Sequence, residues 1–179
     1  VCLVDVIVIG PGLDKSEKNK ALLEKILKKG SEKKIIIDAT ALYLLDPSQL
    51  HGNCVITPHG EEFKLLFKSD PTPENALKMS QTYGCVVVLK GAIDYIADGK
   101  IVYANQTGNA GMTKGGTGDV LAGLIGGLST KNDVLLASLA GAYLNGMAGD
   151  KLYEQAGTFY NAEDVVKELA VIWKQYISK

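Results

Sequence analysis

The sequence contains no arginine; all 19 of its basic residues are lysines. An anion bound here has no guanidinium fork to sit on, so a phosphate must be held by backbone amides, lysine point charges or a metal. Net charge is also lacking, at -1, which gives no pull toward nucleic acid or an acidic membrane surface. Cysteines are few: Cys2, Cys54 and Cys85 are widely spaced and odd in number. They form neither a zinc pattern nor a disulfide framework and read as free buried thiols in a reducing cytoplasm. No apolar run reaches the length of a membrane span. The longest, Val134 to Leu144, is short and flanked by Asp133 and Asp150. The expectation is a soluble cytoplasmic protein with no membrane or nucleic-acid partner.

What is present is small and aliphatic. Hydrophobic residues make up 46% of the chain, aromatics only 7%, and there are 20 glycines. That mixture suits helices and strands packed closely through small residues. The length of 179 residues fits one domain, taken as residues 1–179.

Strand and helix signals alternate along the chain. Val1 to Ile9 is an almost unbroken apolar run, as in a strand buried on both faces. Ser16 can cap a helix carrying Leu22, Leu23, Ile26 and Leu27, which Gly30 can end. Ile35 to Asp38, Cys54 to Thr57 and Cys85 to Lys90 read as further strands. Between the last two, Glu61 to Phe67 is helical, and Thr72-Pro73 opens a helix that Gly84 stops. Tyr95 to Tyr103 reads as a hairpin around Asp98-Gly99. After a glycine-rich stretch come a helix from Val120, an Ala/Gly-rich helix over Asp133 to Lys151, and a last helix capped by Asn161 with Val165, Val166, Leu169, Trp173 and Tyr176 on its apolar face. The order predicts an α/β protein with a doubly wound, mostly parallel sheet flanked by helices.

Four polar or glycine-rich features follow the predicted strands: Gly10-Pro11-Gly12, Asp38, Pro58-His59-Gly60 and Lys90-Gly91. Open α/β sheets bind ligands outside the carboxyl ends of their strands, so all four point to one crevice. Singly, Gly10-Pro11-Gly12 reads as a tight turn, Asp38 as a turn cap, and His51 and His59 as ordinary residues. Lys90 is different, because a lysine ending an apolar strand is costly unless it meets an anion. The segment Thr107 to Asp119 concentrates the signal. Its glycines let successive N–H groups point at one spot, and the following helix adds its positive end. Asp119 beside that anion hole is placed for general-base work. The segment is not a P-loop, since the Gly-Lys-Ser/Thr ending is absent, nor the dinucleotide Gly-x-Gly-x-x-Gly that follows a first strand.

Residues 108 to 123, Gly-Asn-Ala-Gly-Met-Thr-Lys-Gly-Gly-Thr-Gly-Asp-Val-Leu-Ala-Gly, resemble the signature of the ADP/ATP-dependent NAD(P)H-hydrate dehydratases of the ribokinase-like superfamily. Gly10-Pro11-Gly12-Leu13, Thr57-Pro58-His59 with Glu62-Phe63, and Val88 to Ala92 match in the same order. The resemblance implies repair of hydrated NADH or NADPH: the ring hydroxyl is phosphorylated from ADP or ATP with Mg²⁺, and phosphate then leaves. It implies Asp119 as the base, with Gly116 and Gly118 in the anion hole. It places Lys90, Gly91, Ala92, Ile93, Asp94, Lys114, Gly115, Thr117 and Gly118 at the nucleotide, and Gly12, His59 and Asp119 at the substrate. Glu62 would orient Mg²⁺ through water. Thr40 stands where the family commonly has a second aspartate and receives no role. Family members carry βα units before the Gly-Pro-Gly strand, so the fold is expected to be N-terminally incomplete here. The expected assembly is a homo-oligomer or association with the missing portion. Two other readings stay open: a ribokinase-like kinase for a small alcohol or vitamin precursor, and a non-catalytic nucleotide-binding module.

Overall fold

A computed structural model describes residues 4–177. The elements in chain order are β1 (Val6–Ile9), α1 (Glu17–Lys29), β2 (Lys34–Ile37), α2 (Thr40–Leu44), β3 (Cys54–Ile56), α3 (Gly60–Phe67) and α4 (Pro73–Tyr83). They continue with β4 (Val86–Leu89), β5 (Asp94–Ala97), β6 (Val102–Asn105), α5 (Thr117–Ser129), α6 (Val134–Ala156) and α7 (Ala162–Ile177). The strands form one six-stranded sheet in the order β1-β2-β3-β4-β5-β6. The pairs from β1 to β4 are parallel, while the hairpin β5–β6 joins antiparallel.

Local chemistry explains the helix ends. Ser16 accepts from the Asn19 N–H and Thr72 from the Asn75 N–H, while Gly84 takes the left-handed conformation after α4. Asp133 caps α6 by accepting from the Leu136 N–H. Asn161 accepts from the N–H groups of Glu163 and Asp164 before α7.

The alternation of strand side chains builds two cores. Ile35, Ile37, Cys54, Ile56, Val87 and Leu89 face α1 to α4, whereas Ile36, Val55, Val86 and Val88 face α5 and α6. A third cluster joins α6 to α7 through Leu144, Ala148, Leu152, Tyr160, Val165 and Ile172. The crossovers from β1 to β4 all use one face, and the helices after the hairpin cover the other.

Two expectations change. β1 was expected to be buried on both faces, but among the described residues it has one partner, β2, and Val8 is 41% exposed. The first three residues of the predicted strand, including Cys2, lie outside the described residues. On α7, Val165 and Ile172 are buried while Val166 and Trp173 are exposed, because the packed stripe against α6 runs through Val165, Leu169 and Ile172. Cys54 and Cys85 are free and buried, as expected.

Candidate active site

The parallel strands deliver their carboxyl ends to one edge, and the ladder continues past them. The Asp38 N–H donates to the Ile9 carbonyl (3.1 Å), Thr57 N–H to Ile37 (3.1 Å) and Lys90 N–H to Pro58 (2.8 Å). Asp38, His59 and Lys90 therefore stand side by side. Across from them the glycine-rich loop enters α5. Together they enclose a cavity of about 790 Å³, walled by Asp38, His59, Glu62, Lys90, Thr117 and Asp119 among others.

Asp38 lies at the floor, 1% exposed. Its Oδ1 accepts from Lys90 Nζ at 2.7 Å and from Thr57 Oγ1 at 2.7 Å. A buried carboxylate needs such partners, since an unpaired one would lose its hydration without compensation. A Cβ built on Gly118 would stand 3.4 Å from Lys90 Nζ and 3.8 Å from Asp38 Oδ2. The ion pair thus lies directly against the first turn of α5, where N–H groups carry the helix's partial positive charge.

On the next strand His59 caps α3. Its Nδ1 accepts from the N–H groups of Glu61 (3.2 Å) and Glu62 (3.3 Å), and its own N–H donates to Glu62 Oε2 (2.9 Å). This network assigns the ring proton to Nε2, which faces Glu62 Oε1 at 3.5 Å. The capping leaves both members of this reciprocal pair, His59 and Glu62, on the cavity wall.

The loop before α5 is held from outside. Asp150 of α6 accepts from the Gly108 N–H (2.9 Å) and from Asn109 Nδ2 (3.0 Å). Lys114 Nζ donates to the carbonyls of Tyr160 (2.7 Å) and Thr158. Thr117 Oγ1 donates back to the Met112 carbonyl at 2.7 Å. Gly116, at φ +92°, makes the turn into the helix, and a Cβ there would meet Ala162 of α7 at 2.9 Å. Asp119 is then the third residue of α5, exposed on the cavity wall. Asp94, at the hairpin, has its carboxyl pushed above the ordinary range by burial; hydrogen bonds from Gly91 and Asn105 and the charge of Lys90 oppose that shift.

Of the residues singled out in the sequence, His59, Glu62, Lys90, Gly91, Ala92, Asp94, Lys114, Gly116, Thr117, Gly118 and Asp119 line this cavity. Gly12, Ile93 and Gly115 are not among its lining residues. Lys114 reaches the wall, yet its ammonium is occupied by the two carbonyls of the α6–α7 connection. The sequence reading undervalues Asp38, gives Thr57 and Asn109 no individual role within the motifs that contain them, and misses Asn145 of α6. Asn145 is 6% exposed, lines the cavity, and keeps a buried carboxamide oxygen without a hydrogen-bond partner. Only the oddness of an asparagine inside an alanine- and glycine-rich helix could have marked it.

Known proteins share this architecture. A ribokinase-like superfamily protein from Enterococcus faecalis V583 superposes with a TM-score of 0.86 at 30% identity, over 97% of this chain and 64% of that one. The molecule is thus an α/β protein of the ribokinase-like class. An ADP/ATP-dependent NAD(P)H-hydrate dehydratase from Bacillus subtilis, co-crystallised with ATP/Mg²⁺, superposes with a TM-score of 0.82 at 27% identity, over 96% and 65% of the two chains. Residues 2–170 match the family model of the NAD(P)H-hydrate dehydratases, and the chain belongs to that family. A bifunctional NAD(P)H-hydrate repair enzyme from Methanocaldococcus jannaschii is 38% identical over 172 residues, 95% of this chain but 33% of its own length. The chain therefore spans a third of that relative and just under two thirds of the two solved structures.

Proposed function

We propose that this chain carries the phosphoryl-transfer site of an enzyme that dehydrates hydrated NADH or NADPH, with ADP or ATP as donor. One observation carries the reading: Asp119 stands in the first turn of α5 on the wall of the cavity that also holds the Lys90–Asp38 pair. Family membership and the names of the similar proteins support the choice of substrate and donor.

In this reading Asp119 accepts the proton of the ring hydroxyl as that oxygen bonds to the terminal phosphorus of the nucleotide. The bond from phosphorus to the nucleotide's bridging oxygen breaks, and AMP or ADP departs. The N–H groups of Gly116 and Gly118 face the charge that develops, helped by the end of the helix dipole. The ring nitrogen then pushes its electron pair toward the carbon bearing the new phosphate, which leaves; loss of a proton from the neighbouring carbon restores the ring double bond. Lys90, Gly91, Ala92, Ile93, Asp94, Lys114 and Gly115 belong to the nucleotide side, and His59 and Gly12 to the nicotinamide side. Glu62 fits water-mediated contact with Mg²⁺, since its hard carboxylate oxygens lie on the cavity wall and are only partly taken by His59. When bound, Mg²⁺ would neutralise phosphate charge that no arginine is present to meet.

Residues 1–179 form one domain in this reading, and the working enzyme is an oligomer or pairs with further βα units. No helix among the described residues is long and apolar enough to cross a membrane. The test is incubation of the full-length protein with hydrated NADH, ADP or ATP, and Mg²⁺. Recovery of the NADH absorbance is expected, and its absence with both donors would sink the proposal. Phosphorylation of a small alcohol in its place would move the chain to the kinase reading.

A further inference from the structure

We propose that Asp38 is a positioning residue of the phosphoryl-transfer site, fixing the Lys90 ammonium against the first turn of α5. The inference rests on the phosphoryl-transfer reading and deepens it.

Lysine is a flexible point charge, and the absence of arginine leaves the site no rigid fork. A charge that is to stabilise a transition state must already be in place, so something else has to hold it. The surroundings of Asp38 supply that rigidity. The buried aspartate follows β2, Lys90 follows β4, and Thr57 follows β3 between them, so one carboxylate oxygen, accepting from two groups, ties together the ends of three neighbouring strands. The backbone is equally constrained. The Asp38 carbonyl accepts from the Ala41 N–H at 3.2 Å, and a Cβ on Gly10 would lie only 1.7 Å from that carbonyl oxygen. Ala39 adopts φ +49° and ψ -129°, a conformation that an alanine holds only where its neighbours over-determine it. Ala39 itself lines the cavity.

The consequence for Lys90 is specific. Asp38 takes one of its three donors, and Lys90 lines the cavity, so its other donors can serve an anion beside Gly118. The carboxylate also offsets part of the lysine's pull on ground-state nucleotide. Its removal should then lower kcat far more than nucleotide affinity, which separates positioning from simple binding. A merely structural ion pair would instead change stability and leave the kcat of folded molecules alone.

The experiment is a double-mutant cycle on the full-length protein, with Asp38→Asn, Lys90→Met and the combination. Asp38→Asn is expected to lower kcat about 100-fold, as a small misplacement of a reacting group does, while Kd for ADP or ATP changes by less than about threefold. The combination should be no slower than Lys90→Met alone. A folded Asp38→Asn protein with wild-type kcat, or losses that multiply in the combination, overturns the proposal. If Asp38→Asn does not fold, Asp38→Glu keeps the charge but shifts the ammonium; reduced kcat with unchanged nucleotide affinity supports the proposal, and wild-type kcat overturns it. Reductive methylation of Lys90, followed by mass spectrometry, reads the pair without turnover. It should be slow in the wild type and severalfold faster in Asp38→Asn, and equal rates overturn the proposal. A wild type that never dehydrates hydrated NADH sinks the substrate reading instead, and the methylation rates still decide whether Asp38 holds Lys90.

Discussion

The phenol of Tyr160 donates to the carboxamide oxygen of Asn109 across 2.8 Å, joining the segment before α7 to the glycine-rich loop. The same oxygen accepts from the Gly111 N–H at 2.9 Å, and the amide end of Asn109 donates to Asp150 at 3.0 Å. A loop with this many glycines has much entropy to lose on ordering, so these side-chain bonds set its position. Burial and the nearby charge of Asp150 raise the Tyr160 phenol above its ordinary pKa, with the Asn109 bond opposing them.

Tyr160→Phe removes one hydrogen bond and is expected to cost about 1 kcal/mol of stability. Asn109→Ala should cost about 2–3 kcal/mol, because it leaves the Tyr160 hydroxyl and the Gly111 N–H without their acceptor and takes from Asp150 one of its two donors. Denaturant midpoints measured at constant slope check the order. Equal midpoints for the wild type and Asn109→Ala would show that the loop is held by something else.

Gly10→Ala forces a methyl to within 1.7 Å of the Asp38 carbonyl oxygen at φ +130°. It is expected to destabilise the protein by more than about 3 kcal/mol or to prevent folding. Gly115→Ala, with nothing within 4 Å of the added carbon, should change stability by less than about 1 kcal/mol. Thermal melts of the two variants provide the comparison.

Local chemistry was legible where one side chain decides one local event. Thr72, Pro73 and Gly84 mark both ends of α4, and Asp98-Gly99 marks the turn of the hairpin. The crevice was legible as well, because the parallel strands end in polar or glycine-rich features at Gly10-Pro11-Gly12, Asp38, Pro58-His59-Gly60 and Lys90-Gly91, and sheet register then aligns them. Long-range pairing was not. Asp38 and Lys90 are 52 residues apart, and Asp38 looked like an ordinary turn residue until the sheet brought the two together. Asn109, Asp150 and Tyr160 are likewise common surface types whose partnership depends on how α6 and α7 pack. Burial of Val8 was overestimated because an apolar strand pattern does not say how many neighbours the strand has.

The two buried thiols give a pH test. Burial pushes Cys54 up to about 11 and Cys85 up to about 12, from an ordinary value near 9. Each thiol holds its proton more tightly folded than unfolded. Their contribution is thus full below about pH 9 and is lost as pH rises toward 11 and 12. Stability should fall with pH across that window, and replacing both cysteines with alanine should flatten the slope. Site-resolved alkylation near pH 8 should leave both thiols unmodified in the folded protein and label them in denaturant.

Asp119 is the proposed base of a phosphoryl transfer that ends in dehydration, and Asp119→Asn removes the carboxylate that would take the proton. In the full-length protein with hydrated NADH, nucleotide donor and Mg²⁺, recovery of NADH absorbance should slow by about 1,000-fold or more. The melting temperature and the affinity for nucleotide should stay near those of the wild type. A folded, nucleotide-binding Asp119→Asn protein that turns over within about tenfold of the wild type would contradict the account.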